Sequence, residues 1–74
     1  MTNKMQREEE DREKNYDLYY AVFYNDPRDV EYLLKIGAND RYIVPGKNES
    51  TMDLAKRLDK QGKLCSEIKS MLGI

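Results

Sequence analysis

The chain has 74 residues, enough for one small core and too few for two. Its 13 basic and 14 acidic side chains leave a net charge of −1, too small for a strong electrostatic pull on nucleic acid or anionic lipid. One cysteine and no histidine exclude an internal disulfide and leave no ligand set for a tetrahedral metal site. No apolar run approaches the roughly 20 residues of a membrane span, and no signal-peptide core precedes the first polar stretch. The expectation is a cytoplasmic (intracellular), non-membrane protein without a cofactor.

Residues 1–15, MTNKMQREEEDREKN, carry only Met1 and Met5 as apolar side chains. Glu8 with Arg12, and Glu10 with Lys14, are favourable i,i+4 pairs that could support a solvated helix. Without an apolar stripe such a helix has little to anchor it, so a frayed tail is the preferred reading over a polar arm.

A helix is expected over 16–25. Leu18, Ala21, Val22 and Tyr24 or Asn25 follow the i, i+3, i+4, i+7 spacing of one buried face. Tyr16, Tyr19, Tyr20, Phe23 and Tyr24 exceed what a single stripe can bury, so some rings must lie outside the core. Asp26-Pro27 breaks the helix and opens the next, with Asp26 as N-cap and Pro27 at the first helical position. Val30, Leu33 and Leu34 give the second helix, 27–36, its apolar stripe, and Gly37 stands where a left-handed stop is wanted. Arg28, Asp29, Glu31 and Lys35 should face water. So short a connection makes the pair an antiparallel hairpin.

The connector 39–50, NDRYIVPGKNES, combines strand-forming Tyr42, Ile43 and Val44 with a Pro45-Gly46 turn. Gly46-Lys47 lacks the frame of a phosphate-binding loop. A third helix is expected over 51–59, with Ser50 and Asp53 spaced as a capping box and Met52, Ala55 and Leu58 facing the core. A fourth is expected over 62–72, with Leu64, Ile68, Met71 and Leu72 as its stripe and Cys65 beside it.

The stretch Leu18–Asn39 resembles an ankyrin repeat, T-P-L-x-x-A-A followed by V-V-x-L-L-L-x-x-G-A-D. Leu18, Ala21, Val22, Val30, Leu33, Leu34, Gly37, Ala38 and Asn39 fall in that pattern, while Asn25-Asp26 replaces the usual Gly-His turn. Ser50–Lys56, STMDLAK, resembles a second T-P-L-H-L-A-A, with Thr51 and Asp53 in place of the proline and histidine. Met52 then matches Leu18 at an offset of 34, against an ankyrin period of about 33. Aligning Ile68 with Val30 leaves about four extra residues around Lys60–Lys63, as in a C-terminal capping repeat.

The resemblance implies an all-α fold of two stacked antiparallel helix-turn-helix repeats, joined by an extended finger loop. It divides the chain into a charged segment, 1–15, and a domain, 16–74. Two repeats are fewer than the roughly three that usually make a continuous core, so marginal stability or assembly is expected. The ankyrin pattern puts Phe23 and Tyr24 on a concave binding face, with Arg57 at the matching place in the second repeat. Tyr42 and Lys47 come from the finger, and Tyr20 is a neighbour. No serine elbow, activated thiol, phosphate cradle or metal cluster is legible, so the chain reads as a non-enzyme. It reads as a helical-repeat adaptor for a protein partner. The alternatives are a structural, homo-oligomeric unit, or a small regulatory protein of viral or mobile-element kind that occupies a host protein.

Overall fold

The computed structural model describes residues 4–74, with side chains from Asp11 onward. The expected Glu8–Arg12 and Glu10–Lys14 pairs lie outside the described side chains. Four helices and one small hairpin follow in order: α1 (Lys4–Phe23), α2 (Pro27–Lys35), β1 (Ile43–Val44), β2 (Glu49–Ser50), α3 (Thr51–Lys60) and α4 (Ser66–Leu72). The protein is predominantly helical.

The first helix is longer than the sequence pattern predicts. Residues 4–15, expected as a tail, continue α1 without a break. Glu, Lys, Arg and Gln are good helix formers. Once 15–23 is held by packing, extending the helix needs no new nucleus. At its other end α1 stops at Phe23, two residues early. Asn25 takes a left-handed φ of 57°. The Asp26 N–H bonds Ala21 O and the Asn25 N–H bonds Val22 O, the paired bonds of a Schellman stop.

Asp26 then caps α2, its Oδ1 accepting from Arg28 N at 3.2 Å and Asp29 N at 3.3 Å. The second stop is the same motif on Gly37, φ 95°, with Gly37 N donating to Leu34 O and Ala38 N to Leu33 O. Arg28, Asp29, Glu31 and Lys35 are exposed as expected. In the connector, Ile43 pairs with Ser50 and Val44 with Glu49 in an antiparallel ladder. Asn39 bends the chain before it, its Oδ1 accepting from Arg41 N at 2.9 Å. The predicted capping box is complete: Ser50 Oγ accepts from Asp53 N and Asp53 Oδ2 from Ser50 N, both at 3.1 Å.

The last helix is shorter than expected. Leu64 is buried but lies in the approach to α4, and Cys65 is the half-buried residue just before its first turn rather than a helical one. The Cys65 N–H donates to Asn25 Oδ1 at 2.9 Å, which ties the start of α4 to the α1–α2 turn.

The helices α1 and α2 pack on each other, α3 packs on α1, and α4 packs on both α2 and α3. The core between them holds Leu18, Val22, Val30, Leu54 and Ile68 without exposure, and Val44 of the hairpin joins it. The buried stripe on α1 is Asn15, Leu18, Tyr19 and Val22, with Ala21 beside it. On α3 it is Thr51, Leu54, Ala55 and Leu58. The two stripes share one i, i+3, i+4, i+7 pattern and lie 36 residues apart throughout. The expected pairing of Leu18 with Met52 at 34 does not match in burial, because Met52 is only partly covered. Val30 and Ile68, both fully buried, lie 38 apart. That offset is two residues longer than the one between the α1 and α3 stripes.

Candidate functional site

The aromatic residues of α1 divide by helical geometry. Tyr19 falls on the buried stripe and is 3% exposed. Tyr20 is half-buried, whereas Phe23 is 52% and Tyr24 72% exposed. These outer rings touch one another. Tyr16 stands 4.9 Å from Tyr20, centroid to centroid, and donates its hydroxyl to the Tyr20 oxygen at 3.3 Å. Tyr20 stacks on Tyr24 at 6.2 Å and meets Phe23 edge-on, and Phe23 meets Tyr24 edge-on at 5.2 Å. Edge-to-face and offset contacts between rings add about 0.5–1.5 kcal/mol beyond burial. The cluster is therefore held in shape while much of its area faces solvent.

The two expected cations are in different states. Lys47, on the turn of the hairpin, places Nζ 5.8 Å from the Tyr20 ring centroid. Arg57 instead reaches back to Glu49, Nη2 to Oε1 at 2.6 Å. The same Oε1 accepts the hydroxyl of Tyr19 at 2.6 Å. Arg57 is thus paired with Glu49, which also holds the Tyr19 hydroxyl, rather than an unpaired rim charge. Tyr42 is half-buried against the core and, with Tyr16, Arg12 and Pro45, borders a small apolar hollow of about 250 Å³. The fold therefore gathers Tyr20, Phe23, Tyr24 and Lys47, connects Arg57 through Glu49 and Tyr19, and sets Tyr42 beyond Tyr16.

Proton affinities follow these bonds. Burial first, and then the bond to Glu49, push the Tyr19 hydroxyl up to about 12. Glu49 is held below the usual glutamate range by the Tyr19 hydroxyl and then by the Arg57 guanidinium. Tyr16, which donates to Tyr20, titrates above the ordinary tyrosine value, and Tyr20, which accepts, titrates below it.

The sequence pattern did not single out Tyr19 and Glu49. A signal for Tyr19 existed: the stripe 15, 18, 19, 22 is regular once Asn15 counts as buried. Asn15 hides it by being polar, and it is buried because its Oδ1 accepts the Asn39 N–H at 2.6 Å. Glu49 has no local signal, since its partners lie 30 residues before and 8 after it. Among the described residues no three His, Cys, Asp or Glu side chains converge as metal ligands, and no helix is long and apolar enough to cross a membrane.

Comparison with protein-family models, with curated proteins and with solved structures finds no match.

Proposed function

We propose that this chain is a non-catalytic protein-interaction module, built as a short ankyrin-like pair of helical repeats. On this reading α1–α2 and α3–α4 are the repeats, and the β1–β2 hairpin is the finger between them. The shared buried pattern of α1 and α3 supports a repeat, with a period of 36 that is longer than the family's roughly 33. The protein partner docks on the surface formed by Tyr20, Phe23 and Tyr24, bordered by Lys47.

The observation that carries this reading is the exposure of Phe23 and Tyr24 at 52% and 72% within a mutually braced ring cluster. Contiguous exposed aromatic area is rare on a monomer unless something binds it. Tyrosine supplies large contact area at little rotamer entropy and is enriched at binding hot spots.

The double variant Phe23→Ala with Tyr24→Ala tests it. Both side chains lie outside the core, so circular dichroism should report an unchanged fold. Capture of the partner by the wild-type chain should be lost in the variant, with an effect of about 2 kcal/mol or more for a hot spot. Sedimentation of the chain alone separates a heterologous partner from a second copy. A variant that stays folded and captures the same partner equally well would remove the reading.

A further inference from the structure

Between α1 and α2, on the other flank of the ring cluster, runs an open groove of about 530 Å³. Its walls carry Tyr20 and Asp17 from α1, Tyr24 and Asp26 from the turn, and Asp29 and Tyr32 from α2. Tyr24 and Tyr32 are 72% and 61% exposed, so two rings are largely uncovered. No lysine or arginine among the described residues lines it. The ion pairs among the described residues are Lys14–Asp11, Arg57–Glu49 and Lys69–Asp59, so neither Asp17 nor Asp29 is neutralised by one of them. Asp26 spends Oδ1 on the α2 N-cap.

We infer that this groove takes an arginine-bearing segment of the protein partner, with the guanidinium laid on the tyrosine rings and held by Asp17 and Asp29. The inference rests on the docking surface proposed above and names the chemistry of its partner. Three observations select the occupant. The groove is aromatic, and a ring face attracts a cation through its quadrupole. It is acidic with no ion-paired carboxylate at Asp17 or Asp29 among the described residues, so a neutral or acidic segment would cover carboxylates without pairing them, whereas a basic one completes them. Its carboxylates line the same groove as the rings, which suits a planar group that stacks and donates in a fork; the compact ammonium of lysine does only one of these. The chain also shows that the Tyr20 ring tolerates a cation, since Lys47 stands against it from outside the groove.

The test is a ¹⁵N-edited NMR titration of the full chain with a blocked peptide, Ala-Arg-Leu-Ala-Arg-Leu, and with its counterpart carrying glutamine for both arginines. The arginine peptide should shift the amides of Tyr20, Tyr24, Asp29 and Tyr32 saturably. It should bind about tenfold more tightly than the glutamine peptide at low salt, and lose that margin as salt is raised. Asp17→Asn with Asp29→Asn should equalise the two peptides, and Tyr32→Ala should weaken the arginine peptide, with circular dichroism unchanged in both variants. Equal binding of the two peptides to the wild type would overturn the cation preference. So would shifts confined to other surfaces, or no saturable shift at millimolar peptide. Groove signals that broaden with the chain's own concentration, and sharpen in the Asp17→Asn, Asp29→Asn variant, would assign the groove to a second copy instead. Loss of partner capture in the Phe23→Ala, Tyr24→Ala variant, together with equal peptide binding, would keep the docking surface and remove only its charge preference.

Discussion

Glu49 concentrates most of what a single residue does in this molecule. One carboxylate oxygen accepts both the Tyr19 hydroxyl and the Arg57 guanidinium, each at 2.6 Å. Hydrogen bonds to a charged group are the stronger kind, although solvent at the exposed Arg57 screens its share. They also set a pH dependence. Glu49 titrates lower when folded than its ordinary value of 4.5. Its contribution is therefore present above pH 4.5 and is lost as pH falls through the lower folded value. Asp53 acts in the same direction, held down first by the backbone N–H of Ser50. Tyr19 works the other way. Its folded value is raised from 10.0 to about 12, so its contribution is intact below pH 10 and is lost as pH rises towards 12. The melting temperature should thus show a plateau with an acid limb and an alkaline limb. Glu49→Gln should flatten part of the acid limb, and Tyr19→Phe part of the alkaline one. Superimposable wild-type and Glu49→Gln profiles below pH 4.5 would show that the contact contributes nothing in solution.

The elements are set by their ends. Each of the four helices closes on a left-handed residue with the same pair of bonds. Asn25 does so where Gly37, Gly62 and Gly73 serve the others. An ordinary side chain in that conformation costs roughly 1–2 kcal/mol, which asparagine partly escapes and glycine escapes fully. Asn25 also supplies the acceptor for Cys65 N. Asn25→Gly should therefore be close to neutral, losing a hydrogen bond of about 0.5–1.5 kcal/mol while relieving strain. Asn25→Ala loses the hydrogen bond and keeps the left-handed strain, and should be less stable than Asn25→Gly by about 1 kcal/mol in urea unfolding. Equal stabilities for the two would show that backbone strain does not govern this turn. The caps at Asp26, Ser50 and Gly37 are legible in the sequence because each is a local bond over a few residues. The start of α1 and the start of α4 are not. The first is carried by helix propagation from a packed segment. The second is displaced by Leu64, which is drawn into the core before the helix begins.

At the scale of the molecule, one core is shared by all four helices and the hairpin, and little stability is in reserve. A core of this size rarely supplies more than about 3–5 kcal/mol. Leu54 lies fully buried where α3 meets α1, so Leu54→Ala should cost about 2–5 kcal/mol and leave much of the population unfolded at 37 °C. Ile36→Ala, at a site 39% exposed, should stay within about 0.5 kcal/mol of wild type. Thermal melting by circular dichroism distinguishes them, and equal melting temperatures would refute the core assignment.

The sequence by itself determined what depends on short-range bonds and on composition. These are four helices, the caps at Asp26, Ser50 and Gly37, a hairpin where Tyr42–Val44 meets Pro45-Gly46, and more aromatic rings on one helix than a stripe can hide. Only the tertiary structure decided which rings are hidden. Asn15 is drawn into the core by a bond to Asn39, and this rotates the buried face of α1 onto Tyr19. With that face buried, Phe23 and Tyr24 lie towards solvent, Glu49 bonds both Tyr19 and Arg57, and Asp17, Asp29 and Tyr32 line one groove. Contacts made across 24 to 30 residues of chain leave no periodic trace at Asn39 and Glu49, because neither residue lies on a helix whose spacing could mark it.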